Sequence, residues 1–134
     1  MPAIKLHLFG KTKILIVEDN VALSRVLSDS LAGEGYAVLV AENGKIGYEM
    51  ALAEHPDLIL LDMMLPEMDG VSVLKQLRKD EWGGGARVLI LSNLMQGASL
   101  AEELKEYKIL GFIEKVELTL DNISKTVSEA LKEK

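Results

Sequence analysis

In the stretch PDLILLDMMLPEMDG, Pro56 to Gly70, the apolar run Leu58–Leu61 ends on a carboxylate, Asp62. Such a run reads as a strand buried on both faces. An ionised group at its end is costly to desolvate unless something compensates it. Asp62 therefore either caps the next turn or is held there for chemistry. Other polar residues end apolar runs in the same way: Glu18 and Asp19 in ILIVEDN, Ser92 in RVLILSN and Lys115 in GFIEK. Three carboxylates brought together repel and raise one another's pKa unless a cation is present. Mg²⁺ is the simplest remedy, because it takes oxygen ligands, keeps several waters and works with one or two carboxylates and a phosphate. Converging, Glu18, Asp19 and Asp62 would make a magnesium site with room for a phosphoryl group. The Ser92 hydroxyl and the Lys115 ammonium are the donors that a dianionic phosphoryl group needs, and Mg²⁺ with one lysine balances three carboxylates. Taken singly, each residue has an ordinary use. Asp19-Asn20 suits a helix N-cap, Glu18 a solvated loop, Ser92 a loop cap and Lys115 the surface.

The elements decide whether these residues meet. Strand-like runs recur at Ile14–Val17, Ala37–Ala41, Leu58–Leu61 and Val88–Leu91, with a weaker one around Leu110–Ile113. Helical spacing lies between and after them: Leu23, Val26, Leu27 and Leu31; Val71, Leu74 and Leu77; Leu120, Ile123, Val127 and Leu131. Asn20, Asn43, Asp69 and Thr119 are the helix-start candidates. Gly33-Glu34-Gly35 and Trp82-Gly83-Gly84-Gly85 punctuate the ends of the first and third helices. Strands alternating with helices predict an α/β fold, a doubly wound five-stranded parallel sheet of order 2-1-3-4-5, flavodoxin-like. Its ligand crevice opens at the carboxyl ends of strands 1 and 3, where the winding reverses. Those ends carry Glu18, Asp19 and Asp62, and the neighbouring ends of strands 4 and 5 carry Ser92 and Lys115.

The whole chain sets outer bounds. At 134 residues it reads as one domain, with 49% hydrophobic and 27% charged residues, ordinary for a folded soluble protein. A net charge of −6 argues against direct nucleic-acid binding, which needs a basic face. Cysteine is absent, which excludes disulfides and thiolate metal sites, and two histidines, His7 and His55, are too few for a histidine-rich zinc centre. No apolar run approaches membrane-spanning length. MPAIKLHLFG is too short in its apolar part for a signal peptide. The reading is a cytoplasmic, acidic, single-domain protein that does not engage membranes.

The ordered set PDLILLDMMLPEMDG, ILIVEDN, LILSN and GFIEK resembles the receiver domains of two-component response regulators, over roughly Lys13 to Leu131. The resemblance implies that Asp62 is the phosphoacceptor, fed by a phosphohistidine on a sensor histidine kinase or phosphotransfer protein. Asp19 would bind Mg²⁺ directly and Glu18 through water, with Asp62 and the main-chain carbonyl of Met63 completing the protein ligands. Lys115 would pair with the phosphoryl oxygens, and Ser92 would move to hydrogen-bond them. Phe112 matches the aromatic switch position, although a core aromatic on the last strand fits the sequence equally. Pro66 and Gly70 match the loop that enters the third helix. Phosphorylation would switch a surface formed by strand 5 and its flanking helices, acting on a downstream effector protein or domain or on a homodimer formed through the fourth and fifth helices. Met64 and Leu94 would flank the water's approach to the phosphorus, and their apolar bulk predicts slow hydrolysis. The chain would be a phosphoacceptor switch rather than an enzyme on other substrates, catalysing only its own phosphorylation and dephosphorylation.

Several features depart from that pattern. Val116 follows Lys115 where proline is usual, and because a cis bond there would cost about 3 kcal/mol the loop is expected to be trans and differently shaped. Asn93 stands where a small residue is usual, and KEYKILGF compresses the entry to strand 5. Residues 1–10 form a leader or an extra edge segment, and residues 11–134 the receiver domain. Nothing after the fifth helix resembles an effector, so a stand-alone regulator and a fragment of a longer protein are both open. Two other functions compete. A phosphatase using Asp62 as nucleophile would want an acid two residues on, and that position is Met64. A receiver-like interaction module that is not phosphorylated is kept alive by Val116 and Asn93.

Overall fold

The computed structural model describes residues 11–93 and 97–132. The first ten residues and Leu94, which carry expectations above, lie outside the described residues. In chain order the elements are β1 (Lys13–Val17), α1 (Val21–Gly33), β2 (Ala37–Ala41), α2 (Gly44–Glu54), β3 (Leu58–Asp62), α3 (Gly70–Lys79), β4 (Val88–Ser92), α4 (Gly97–Leu104), β5 (Gly111–Glu114) and α5 (Leu120–Lys132). All five strands pair in parallel, in the order β2-β1-β3-β4-β5.

Alternation along the strands divides the core into two layers. Leu15, Val17, Ile59, Leu61 and Ile90 face one side, packed with Ala51 of α2, Val73, Leu74 and Leu77 of α3 and Leu104 of α4. Ile14, Ile16, Leu58, Leu60, Leu89 and Leu91 face the other, against Leu27 and Leu31 of α1 and Ile123, Val127 and Ala130 of α5. Helices on both faces are the reason β3 and β4 are buried along their whole length and read as unbroken apolar runs rather than alternating ones. Both strands run one residue past the predicted ends. Asp62 and Ser92 are therefore ladder residues, opposite Leu91 and Glu114 respectively.

The four start signals act as expected. The side chains of Asn20, Asn43, Asp69 and Thr119 accept from the main-chain N–H of Leu23, Ile46, Ser72 and Asn122 at 2.8–3.1 Å. They satisfy donors that the helix itself cannot. The apolar spacing of α1 holds for Leu23, Leu27 and Leu31 and fails at Val26. Val26 is 51% exposed while Ser24 is buried, its hydroxyl donating to the Val21 carbonyl at 3.2 Å. Leu120 likewise lies outside the packed stripe of α5, at 58% exposure. The compressed entry to strand 5 resolves into a 3₁₀ turn, Lys105–Tyr107, and a left-handed Lys108 with φ 57°. The strand then begins at Gly111, one residue later than the sequence spacing indicates.

Two substitutions separate core from surface. Leu60→Ala, in the middle of the doubly covered β3, is expected to cost about 2–5 kcal/mol. Val26→Ala should stay within about 0.5 kcal/mol of wild type despite its place in the apolar spacing. Urea unfolding followed by circular dichroism checks both, and a large loss in Val26→Ala would reinstate that residue in the core.

Candidate functional site

The carboxyl ends of β1 and β3 lie side by side, with Val17 opposite Leu61. Immediately after β1 the Glu18 N–H donates to the Ala41 carbonyl at 3.0 Å, which fixes the backbone, and the Glu18 side chain is buried. Its Oε2 accepts from the Asn20 N–H at 2.9 Å, while the Asn20 side chain caps α1. Asp19, between them, is exposed. Asp62 is 3% exposed; its Oδ1 accepts from the Met64 N–H at 3.3 Å. Lys115 reaches in from the end of β5, its Nζ 3.1 Å from Asp62 Oδ2 and 2.8 Å from Glu18 Oε1. Carboxylate oxygens of Glu18, Asp19 and Asp62 lie within 4.8 Å of one another, the convergence expected from strand order.

The electrostatics follow from burial and charge. Burial pushes the Glu18 carboxyl above its ordinary range, against the lowering effect of Lys115 and the Asn20 N–H, and the neighbouring Asp62 pushes it further. Burial lowers Lys115, but its contacts with Glu18 and Asp62 outweigh that and leave it above an ordinary lysine. One ammonium is shared by two buried acids. Glu18 Oε1 receives no well-aligned hydrogen bond, and the facing ammonium interacts with it as a charge. A buried carboxylate oxygen without an aligned donor, beside two further carboxylates, is a donor set that a hard cation fits.

Ser92 is buried at the end of β4. Lys115 itself opens a 3₁₀ turn, Lys115–Glu117, closed by the Leu118 N–H on the Lys115 carbonyl at 3.2 Å. Among the described residues no peptide bond is cis, so the Lys115–Val116 bond is trans, as expected from the missing proline. Phe112 is 38% exposed on β5 and is not a core aromatic. The Met63 carbonyl accepts from the Gly70 N–H at 3.0 Å, which leaves one of its two lone pairs for another partner. Gly70 is required here, because a Cβ would overlap the Asp62 carbonyl oxygen and the Met63 Cα. Sequence reasoning missed the Asn20 and Met64 N–H donors. Both are main-chain groups that any residue type would supply, so no side-chain pattern announces them.

Known proteins match both the sequence and the fold. The profile of the response regulator receiver domain matches residues 14–128. RpaA of Synechocystis, described as a DNA-binding dual master transcriptional regulator, is 43% identical over 84 residues, 63% of this chain and 35% of its own length. The chain thus spans about a third of the length of such relatives. The receiver domain of a Francisella response regulator superposes with a TM-score of 0.80 at 25% identity, covering 91% of this chain and 98% of that one. The receiver domain of a Pseudomonas aeruginosa sensor histidine kinase, solved with a magnesium ion coordinated in its active site cleft, shares the fold, with a TM-score of 0.81 at 22% identity and coverage of 92% and 99%.

The shared ammonium predicts opposite effects of two substitutions in metal-free buffer. Glu18→Gln relieves a desolvated carboxylate and should raise stability by about 1 kcal/mol. Lys115→Met strands two buried acids together and should lower it by about 3 kcal/mol. Urea midpoints at neutral pH in EDTA check the pair; equal midpoints in both variants would remove the electrostatic account.

Proposed function

The chain belongs to the response regulator receiver domain family, and on that premise we propose that it is a phosphoryl-accepting switch of a two-component system. Asp62 takes the phosphoryl group from a phosphohistidine on a sensor histidine kinase or phosphotransfer protein. The observation that carries the reading is the Lys115 ammonium held within 3.1 Å of Asp62 Oδ2 at the mouth of three clustered acids.

The reaction is an in-line displacement. A carboxylate oxygen of Asp62 attacks phosphorus, the N–P bond to the donor imidazole breaks, and the imidazole keeps the bonding pair. The product is an acyl phosphate. Phosphoryl transfer asks a protein mainly for positioning and charge neutralisation. The buried end of β3 fixes Asp62, the Met64 N–H orients its Oδ1, and Lys115 is placed to pair with phosphoryl oxygens. Ser92 supplies a hydroxyl donor from the adjacent strand. Asp19 directly, Glu18 through water, Asp62 and the Met63 carbonyl would hold Mg²⁺, which when bound neutralises charge on the transferred group. The magnesium described in the Pseudomonas receiver domain supports that role for a cleft of this fold. In this reading the chain turns over no other substrate and catalyses only its own phosphorylation and dephosphorylation.

The output surface is β5 with its flanking helices. Leu110, Phe112, Val116 and Leu120 are all substantially exposed there, an apolar supply suited to a downstream effector protein or domain, or to a homodimer through α4 and α5. Ser92 and Phe112 form the link, the hydroxyl following the phosphoryl group and the ring following the hydroxyl. Residues 11–134 make up the receiver and residues 1–10 a leader or edge segment. The domain acts in the cytoplasm without itself contacting nucleic acid or membrane; no helix among the described residues is long and apolar enough to cross a membrane.

Acetyl phosphate or phosphoramidate with Mg²⁺ should add one phosphoryl group by intact mass, and Asp62→Asn should abolish the gain. Labelling that persists in the variant would move the phosphosite, and a wild type that gains no mass would leave a receiver-like interaction module. Asp19→Ala should weaken Mg²⁺ by at least about tenfold and Glu18→Ala by less, since a direct ligand contributes more than a water-mediated one. Calorimetry is the measurement of choice. Trp82 stacks on His55 in the loops that feed the opposite end of the sheet, with ring centroids 4.4 Å apart, so its fluorescence is remote from the metal. Unchanged affinity in Asp19→Ala would exclude this residue as a ligand.

A further inference from the structure

A second charged site lies at the amino-terminal end of the sheet. Arg78 closes α3, Arg87 immediately precedes β4 and Lys108 stands three residues before β5. With Gly84, Gly85, Ala86 and Leu110 they line a surface cavity of about 270 Å³. A five-residue strand separates this end from the acidic cluster, roughly 17 Å. In a chain of net charge −6, three cations and, among the described residues, no acid line the cavity.

Both arginines donate to main-chain carbonyls, Arg87 once, from Nη1 to the Leu131 carbonyl at 3.4 Å, and Arg78 three times. Its Nε donates to the Tyr107 carbonyl at 2.7 Å, its Nη1 to the Gly83 carbonyl at 2.7 Å and its Nη2 to the Lys108 carbonyl at 3.3 Å. A guanidinium has five N–H donors, so two are left over. Among the described residues the carboxylate ion pairs involve only Lys13, Lys105 and Lys115. Arg78 is thus a half-buried cation bonded to neutral carbonyls, and burial lowers its pKa. The last of these bonds meets the carbonyl of Lys108, the residue with φ 57° that also lines the cavity.

The glycines give an independent indication. Gly83 is needed by the fold, since a Cβ there would overlap the Leu77 carbonyl. Gly84 and Gly85 are not: neither has a positive φ, a Cβ at Gly84 would meet only the Arg78 carbonyl at 3.8 Å, and one at Gly85 would meet nothing within 4 Å. Both line the cavity with bare backbone, where a side chain would take up its open space.

We propose that Arg78, Arg87 and Lys108 form a binding site for a phosphate-bearing small molecule, separate from the Asp62 site. Planar guanidinium donors and a mobile ammonium suit a multiply charged tetrahedral anion, and the volume accommodates more than a single phosphate. The ligand contacts the turns that lead into β4 and β5, whose far ends carry Ser92 and Lys115.

The test is titration of the full chain with inorganic pyrophosphate in EDTA, read by ¹⁵N-resolved NMR at the Gly84 and Gly85 amides and the Arg78 Nε–H. Those signals distinguish this cavity from any occupancy near Lys115. A saturable shift with a Kd of about 1 mM or tighter is expected. Arg87→Gln/Lys108→Gln should weaken it by about tenfold or more. Gly85→Leu, which fills open space and leaves the Arg78 bonds intact, should abolish it. Arg78 is left unchanged because it holds three carbonyls of the fold. Shifts that never saturate, or unchanged binding in both variants, would overturn the site; citrate binding as tightly as pyrophosphate would overturn the phosphate class.

Discussion

The Lys115 ammonium, shared between Glu18 and Asp62, is the constraint on which the arrangement turns. Two buried carboxylates at the ends of adjacent strands repel, and neither is far enough from the core for water to screen it. The compensating charge arrives from β5, across the intervening β4, so it is in place only when the sheet has its full order. The electrostatics of the site and the topology of the fold are thereby one problem. Glu18 Oε1 still lacks an aligned donor, and burial raises the pKa of that carboxyl.

The loop that follows Asp62 packs closely against the backbone around it. The Gly70 N–H bonds the Met63 carbonyl, and the missing Cβ at Gly70 lets α3 begin against the end of β3. Within the loop the Met68 N–H returns to the Pro66 carbonyl at 2.8 Å, and Glu67 takes a positive φ of 70°. From the other side the Gly44 N–H reaches the same Pro66 carbonyl at 3.3 Å, and a Cβ at Gly44 would overlap the Met68 carbonyl. The loop is therefore clamped between the starts of two helices. The PEMDG ending of the opening stretch is a packing requirement of this corner as much as a chemical one.

Much of this was legible in the sequence because the physics was local. Strands covered on both faces are unbroken apolar runs, and cap residues announce helix starts. Once strand order is fixed, the carboxyl ends of the strands select Glu18, Asp19, Asp62, Ser92 and Lys115. What escaped depends on partners distant in the chain. Arg78 bonds carbonyls 29 and 30 residues away, and the Trp82–His55 stack joins two loops across a helix and a strand. The burial of Ser24 in α1 escaped for a different reason: its hydroxyl is satisfied on the Val21 carbonyl, so a polar residue is tolerated out of water where apolar spacing gives no sign of it.

The turn after β5 shows how the cation reaches the site. Proline is absent, the bond after Lys115 is trans, and Val116 is 66% exposed; yet the ammonium stands at 2.8 and 3.1 Å from two acids. A 3₁₀ turn that starts on Lys115 itself, closed by the Leu118 N–H, sets the direction of the side chain. Four methylenes give lysine enough reach to absorb a change in backbone path that a shorter side chain would transmit to its charge. The position of the charge is what the carboxylates enforce, and the turn is free to differ. That freedom leaves Val116 and Leu120 on the surface beside Phe112, so the same turn that delivers the cation to the crevice also shapes the apolar face outside it.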